Sequence, residues 1–122
     1  MHPTRPFVFA IALAFPVFAV ARPIASETEA CAVLTEAVPP HAQLRNAPAD
    51  YYCELDNSSS RYYVFAFRSR HPEPPGAGPN WVGSNLVGWF AVRRRDGAVF
   101  EWDITNLRPA TLFFLPRAGT KK

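Results

Sequence analysis

Between Leu86 and Ile104, two runs of large apolar residues flank the polar triplet Arg95-Asp96-Gly97. Two such runs, separated by a short polar loop that contains glycine, are typical of a β-hairpin. A three-residue hairpin loop needs its last residue in the left-handed backbone region, which glycine adopts at no steric cost. We therefore predict a hairpin over residues 86–104, and the rest of the chain must supply partners for its apolar face.

The alternation of side chains along this hairpin favours a three-residue loop at 95–97. That loop makes one face wholly apolar, with the cross-strand pairs Val92–Phe100, Phe90–Trp102 and Gly88–Ile104. The opposite, water-facing surface then carries four prominent side chains, which are Trp89, Arg93, Glu101 and Asp103. A loop of two or four residues would instead place the two acidic side chains on the apolar face.

The first 21 residues have the organisation of a secretory signal peptide. His2 and Arg5 precede an apolar run from Phe7 to Val20, and Ala19-Val20-Ala21 supplies a small-x-small cleavage pattern. The apolar run is short for a bilayer-spanning helix and contains a proline, so a permanent membrane anchor is the weaker alternative. We predict cleavage after Ala21 and a periplasmic or secreted protein with no stable membrane insertion.

Residues 22–122 suffice for one small domain. The formal net charge of +3 falls to +2 when Arg5 leaves with the signal peptide, because 12 basic and 10 acidic residues remain. Nucleic-acid-binding proteins need a strong, concentrated positive charge, and this charge is small and spread along the chain. We predict a single domain with a mobile tail from residue 117 and no nucleic-acid partner.

Cys31 and Cys53 are the only two cysteines. In an exported domain of this size, two cysteines most often form a structural disulfide. A redox-active pair is the alternative, but the chain has no C-x-x-C motif and no His or Lys next to either cysteine. The prediction is a disulfide that joins Cys31 to Cys53.

The sequence predicts a helix over residues 26–38, with Cys31 on the face that packs against the rest of the fold. Ser26 followed by Glu29 forms a capping box, and acidic residues in the first turn suit the helix dipole. One stripe at helical spacing is apolar, and its members are Ala30, Cys31, Leu34, Ala37 and Val38. Pro39-Pro40 is expected to end the helix.

Strands are predicted after this helix. Residues 51–56 alternate with a period of two and put Cys53 on the inner side, and residues 57–60 form a turn. Residues 61–70 make a second strand, in which one face carries Tyr63, Phe65 and Phe67 and the other carries Tyr62, Val64, Ala66 and Arg68. A last short strand is predicted at 111–115.

Residues 71–80 contain four prolines and two glycines, which forbid a regular strand or helix there. This Pro/Gly-rich segment leads into Trp81, a bulky aromatic at the junction of loop and strand. The segment is either a plain surface connection, with Trp81 folded onto the sheet, or a binding loop, since long irregular loops are often functional.

The order of these elements predicts an α+β fold, in which one N-terminal helix packs on a four- to five-stranded antiparallel sheet. Residues 90–104 resemble the strand, glycine-closed turn and strand signature of PepSY-like periplasmic domains, and the whole layer has a PepSY-like or cystatin-like shape. The resemblance implies a non-enzymatic module that binds or inhibits a hydrolase.

The sequence contains few residue patterns typical of a catalytic or metal site. His41 and His71 adjoin proline-rich connections and have no Cys or acidic residue at metal-ligand spacing, so no metal site or cofactor is expected. Gly83-Ser84-Asn85 lacks the second glycine of a nucleophile elbow. Glu101 and Asp103 lie side by side on one predicted strand face and could do acid–base work, although water-facing acids more often serve solubility. We predict no catalytic residues and no enzyme.

Recognition is the remaining hypothesis, because 14% of the residues are aromatic and several aromatics are predicted on the outer surface. The first hypothesis is an exported protein that inhibits a toxin or a cell-wall hydrolase, as an immunity protein or hydrolase inhibitor, by covering its cleft. The predicted partner-binding residues are Trp81, Trp89, Arg93, Glu101 and Asp103. The alternatives are a structural or accessory envelope module and a small-ligand carrier with a pocket between helix and sheet.

Overall fold

The computed structural model describes residues 20–41 and 48–117. Alternating apolar residues form strands and the capped segment forms a helix, so the elements follow the predicted order. They are helix α1 (Glu27–His41), a 3-10 turn (Pro48–Asp50), and strands β1 (Tyr51–Ser58), β2 (Tyr62–Ser69), β3 (Leu86–Arg93), β4 (Val99–Asp103) and β5 (Arg108–Phe114).

The five strands form one antiparallel sheet in the order β1-β2-β3-β4-β5, so each strand pairs with its neighbours in sequence. Short connections suffice between antiparallel neighbours, and only residues 70–85 make a long one. Helix α1 packs on one face of this sheet. The predicted α+β architecture, one helix on an antiparallel sheet, is confirmed.

The main core lies between α1 and the sheet. The helix contributes a buried apolar stripe, and the sheet contributes one face of its inner strands. The principal members are Val33, Leu34, Ala37 and Val38 from α1 and Tyr63, Phe65, Phe67, Phe90, Val92 and Val99 from the sheet. The predicted alternation of β2 is confirmed, since Tyr63, Phe65 and Phe67 all point into this core.

The disulfide between Cys31 and Cys53 is present, with the two Cα atoms 5.9 Å apart. It joins α1 to β1, and both cysteines pack against the core. The edge strand and the helix are therefore linked covalently as well as by packing. The predicted pairing is confirmed.

Helix α1 begins as predicted and ends later than predicted. The Ser26 Oγ accepts a hydrogen bond from the Glu29 N–H at 3.1 Å, and the Glu29 carboxylate accepts from the Ala25 N–H at 2.9 Å and pairs with Arg22. The prediction that Pro39 ends the helix is wrong, because α1 continues to His41. Proline has a helical φ, and Pro39 and Pro40 both lie near the end of α1, where Pro39 is buried.

The β3–β4 hairpin exists, but its predicted register is wrong. The observed pairs are Val92 with Val99, Ala91 with Phe100 and Phe90 with Glu101. The Arg93 N–H donates to the Ala98 carbonyl at 2.8 Å, so the loop has four residues, 94–97. Gly97 takes the left-handed conformation at φ 81°, as the turn requires. One residue of difference in the loop moves Phe100 and Trp102 to the face away from α1.

The predicted signal peptide, residues 1–21, lies outside the described residues except for its last two. Val20 forms a parallel bridge with Arg117, and the Ala21 N–H donates to the Arg117 carbonyl at 2.8 Å. Of the tail predicted from residue 117, only Arg117 is described. In the described ranges, no helix combines the length and apolar character needed to cross a bilayer.

The β4–β5 turn holds Leu107 in the left-handed region at φ 57°, which a branched side chain rarely adopts. Its side chain is 66% exposed, so little packing depends on it. We expect Leu107→Gly to raise the free energy of unfolding by about 0.5–1 kcal/mol, because glycine carries no Cβ strain there. Urea denaturation measures this change, and Leu107→Ala, which keeps the strain, is the control. Equal midpoints for the two variants would refute the explanation.

Candidate functional site

Four aromatic side chains lie on the sheet face opposite α1, and we call them the aromatic face: Tyr62, Trp89, Phe100 and Trp102. Each ring is half-buried. The sheet register places large residues beside small ones, with Trp89 opposite Ala66 and Phe100 opposite Ala91. Val64, Ala66 and Ala91 are consequently buried on this face as well. The sheet therefore has apolar surface on both sides.

The Tyr62 ring on β2 contacts two other rings of the aromatic face, both on β4. The Tyr62 ring centroid lies 6.0 Å from that of Phe100, edge to face, and 5.6 Å from that of Trp102. The Arg93 guanidinium carbon lies 5.1 Å from the Phe100 centroid, in cation–π geometry. Aromatic contacts of this kind hold large side chains in fixed positions at a surface.

Asp96 in the hairpin loop fixes the position of Arg93. Its carboxylate accepts from Arg93 Nε at 3.1 Å and Nη2 at 2.9 Å, and from the Ala98 N–H at 3.0 Å. Burial acts to raise the pKa of Asp96, but the hydrogen bonds from Arg93 and Ala98 outweigh it, so the net pKa is lowered. The same hydrogen bond to Asp96 raises the pKa of Arg93, and the nearby Tyr62 contributes in the same direction.

Because the pKa of Asp96 is lower in the folded chain than its ordinary value of 3.8, ionised Asp96 favours folding. This contribution is present above the ordinary value and is lost as the pH falls through the folded-state pKa. We expect stability to decrease between about pH 5 and pH 2, and Asp96→Asn to flatten part of that decrease while lowering stability at neutral pH. Urea midpoints at each pH measure the effect. Asp56→Asn, at an exposed acid of β1, is the control, and an Asp96→Asn curve parallel to wild type would contradict the assignment.

A polar network borders the aromatic face on its β1 side. The Asn85 side chain donates to the Tyr52 hydroxyl at 2.9 Å and accepts from Arg68 Nη1 at 2.8 Å. Arg68 Nε also donates to Glu54 at 2.9 Å, and the Arg70 guanidinium lies 4.8 Å from the Tyr52 ring centroid. These contacts hold the side chains on the β1 side of the aromatic face in place, and the Glu54 carboxylate neutralises the charge of Arg68.

At the other end of the aromatic face, beside the β3–β4 loop, there is a small cavity of about 140 Å³, which we call the basic pocket. Three guanidinium groups line it, together with one hydroxyl-bearing serine and one tyrosine. Its residues are Ser60, Arg61, Tyr62, Arg93 and Arg95. Tyr62 belongs to both the basic pocket and the aromatic face, so the two surfaces are continuous.

A larger cavity of about 590 Å³, which we call the loop pocket, lies where the Pro/Gly-rich segment meets the sheet. Its lining is mixed in polarity and includes Tyr51, Ser69, His71, Glu73 and Asn85. His71 Nε2 lies 3.6 Å from the Asp50 carboxylate, and the Ser69 Oγ accepts a hydrogen bond from the His71 N–H. Within the described part of the chain, no group of three or more His, Cys, Asp or Glu residues could hold a metal ion.

The structure separates the five residues predicted to bind a partner. Trp89 and Arg93 lie on or beside the aromatic face. Glu101 pairs with Phe90 and so lies on the helix side of the sheet, not beside Trp89 as the predicted register required. Trp81 lies in the 70–85 connection, half-buried, with its ring over Gly83.

The Asp103 carboxylate forms its hydrogen bonds within the β4–β5 turn. Its carboxylate accepts from the backbone N–H groups of Thr105 and Asn106, both at 3.0 Å, and from the Asn106 side chain at 2.8 Å. The Asn106 side-chain hydrogen bond is the largest influence that lowers the pKa of Asp103. Asp103 therefore orders the β4–β5 turn, and it forms no acid–base pair with Glu101 on the aromatic face.

Phe100 and Trp102 are the functional candidates that sequence reasoning missed, because the predicted register buried them under the helix. A signal was available in Ala91 and Ala66, since small residues opposite large aromatics fit a second apolar face.

Comparisons with protein-family models, with curated proteins and with solved structures find no match to this chain, so its PepSY-like or cystatin-like relationship stays a prediction.

Proposed function

We propose that this chain is an exported, non-enzymatic binding protein that inhibits a partner enzyme by covering its cleft with the aromatic face. The observation that carries the proposal is the second apolar surface of the sheet, with four half-buried rings opposite the helix. Tyr and Trp side chains bury much area for little conformational entropy, and they are enriched where protein–protein binding energy concentrates.

The charges around this face favour an acidic partner surface. Arg61, Arg93 and Arg95 line the basic pocket at one end, and Asp96 is the acid that pairs with two of them. Arginine at the edge of an aromatic surface both stacks on rings and pairs with carboxylates. A cleft with carboxylates at its mouth, as in many hydrolases, is complementary to this arrangement.

Export is part of the proposal. The Cys31–Cys53 disulfide is stable in the periplasm or outside the cell and would be reduced in most cytosols. The 21-residue secretory pattern at the start of the chain points to the same location. Toxins and cell-wall hydrolases act in these compartments, so an exported inhibitor would meet such a partner there.

We expect Trp102→Ala and Trp89→Ala each to weaken inhibition, by a factor of about 30 where the ring is a central contact, because truncation of such a ring costs about 2 kcal/mol. The measurement is titration, with the purified chain, of each toxin or cell-wall hydrolase whose gene adjoins this one, following residual enzyme activity. Each variant is first shown to keep its thermal midpoint within a few degrees of wild type.

Val82→Ala is the matched control, since Val82 is 89% exposed but belongs to the 70–85 connection. It should leave inhibition unchanged, and so should deletion of residues 73–79. Loss of inhibition on that deletion, with Trp102→Ala unaffected, would move the contact to the loop. A wild-type chain that inhibits none of the neighbouring hydrolases or toxins would reject the proposed function.

The loop pocket favours a second candidate function, a small-ligand carrier. Its volume of about 590 Å³ lies within the range of small-molecule sites, and Ser69, His71 and Asn85 offer polar contacts there. The pocket lies at the end of the sheet and not between helix and sheet. Native mass spectrometry of the purified chain tests this candidate. A mass increment that Ser69→Ala removes would support a carrier, and a chain of unmodified mass would favour the inhibitor.

A further inference from the structure

The basic pocket concentrates positive charge that its own residues do not neutralise. Arg61, Arg93 and Arg95 line it, while the ion pairs formed there by the described residues all involve one acid, Asp96. Asp96 binds Arg93 through two hydrogen bonds, whereas Arg95 Nε lies 3.9 Å from its carboxylate and the Arg95 side chain is 75% exposed. Two of the three guanidinium groups therefore keep donors for an incoming anion.

The backbone around the pocket is fixed. The Ser59 Oγ accepts from the N–H groups of Arg61 and Tyr62, at 3.2 and 3.1 Å, which orders the β1–β2 turn. The Arg94 N–H donates to the Arg61 carbonyl at 2.8 Å and ties that turn to the β3–β4 loop. Arg61 and Arg95 therefore extend from fixed positions on two adjacent turns, and Arg93 is held between them. Pre-organisation of this kind lowers the entropic cost of binding.

We propose that the basic pocket receives a carboxylate side chain, Asp or Glu, of the protein partner. The inference rests on the proposed function, because it names the partner group that docks beside the aromatic face. The guanidinium fork matches the two oxygens of a carboxylate, and Arg61 and Arg95 can each donate to it. The cavity of about 140 Å³ is large enough for one acidic side chain.

The position of Tyr62 argues for a protein carboxylate. Tyr62 lines the pocket and also packs edge to face on Phe100, so a surface docked on the aromatic face adjoins the pocket. The Ser60 hydroxyl completes the lining and offers a neutral donor. A partner that covers the rings would thus bring an acidic side chain into a site that also shields it from water, where charge-assisted hydrogen bonds are strongest.

The test uses N-acetyl-L-glutamate α-amide, which carries one side-chain carboxylate, as the probe. The purified oxidised chain, labelled at arginine Nε, is titrated by NMR at low salt. We expect saturable shifts of the Arg61 and Arg95 Nε–H signals with Kd on the order of 1–10 mM, and a severalfold weaker Kd when the NaCl concentration is raised about sixfold. The glutamine analogue, which is the same size but neutral, should shift neither signal.

The Arg93 Nε–H signal reports on the pocket in both wild type and the double variant Arg61→Gln/Arg95→Gln, and it should shift with the probe only in wild type, because the two substituted side chains line the pocket. Arg70→Gln is the matched control, since Arg70 lies at the opposite end of the sheet over Tyr52. Equal shifts with the glutamine analogue, or binding that survives the double variant, would overturn the proposal. Phosphate that binds the pocket more tightly than the glutamate probe would also overturn it and assign the pocket to a free anion.

Failure of this inference can be distinguished from failure of the proposed function. Trp102→Ala leaves all three pocket arginines in place, so it should weaken inhibition of the partner while still binding the probe. A wild-type chain that inhibits the partner but does not bind the probe rejects the pocket assignment alone. A chain that binds the probe but inhibits no partner rejects the proposed function and supports the chemistry of the pocket.

Discussion

Replacement of both Cys31 and Cys53 by alanine is expected to lower the free energy of unfolding by about 3 kcal/mol. The disulfide closes a loop with a sequence separation of 22, and its loss restores conformational freedom mainly to the unfolded chain. A small domain has about 5–15 kcal/mol of total stability, so the loss is a large fraction of it. Guanidinium denaturation of the oxidised wild type and the double variant measures the difference.

Reduced wild-type protein is the control for the disulfide, because it keeps both sulfurs but lacks the bond. It should unfold near the midpoint of the double alanine variant. A double variant as stable as oxidised wild type would show that packing of α1 on the sheet suffices without the covalent link.

Phe67→Ala is expected to cost about 3–5 kcal/mol, the largest effect of any single substitution considered. Phe67 is fully buried, its ring stacks on Tyr51 at 5.3 Å, and it meets Phe90 edge to face at 6.0 Å. Truncation removes the apolar burial and leaves a cavity between β2 and α1, which the rigid sheet cannot close. Denaturant midpoints, with an unchanged slope, measure the loss.

Phe100→Ala provides the matched comparison, since it removes the same side chain from the opposite face of the sheet. Phe100 is half-buried, so we expect less than half of the loss seen for Phe67→Ala. This comparison also tests the register of the β3–β4 hairpin. Under the three-residue loop Phe100 would face the helix, and the two variants would be equally destabilising.

Two predictions in the sequence analysis depended on local chemistry, and both are confirmed. Ser26 caps the start of α1 by accepting from the Glu29 N–H, and the Glu29 carboxylate reaches back to the Ala25 N–H, one residue before the partner that a capping box prescribes. The alternation of Tyr63, Phe65 and Phe67 identified the buried face of β2. In each case the interacting groups lie within a few residues of one another, or the period of two alone decides which side chain faces inward.

The candidate site was harder to predict, because its residues meet only through the register of three strands. Trp89 and Arg93 were identified, but Glu101 was assigned to the wrong face and Phe100 and Trp102 were missed. The side-chain alternation favours a three-residue loop only if a single face of the sheet is apolar. This sheet has apolar residues on both faces, so the hydrophobic pattern did not distinguish the two registers.

The sequence by itself determined the helix start, the α+β architecture, the disulfide and the inward face of β2, since these depend on caps, alternation and cysteine count. Only the tertiary structure decided the hairpin register, the length of α1 and the position of the basic pocket. The register follows from the hydrogen bonds of Asp96 to Arg93 and Ala98 in a four-residue loop. The later helix end coincides with burial of Pro39, and the pocket forms where the β1–β2 turn meets the β3–β4 loop. These contacts join residues whose proximity exists only once the sheet has formed.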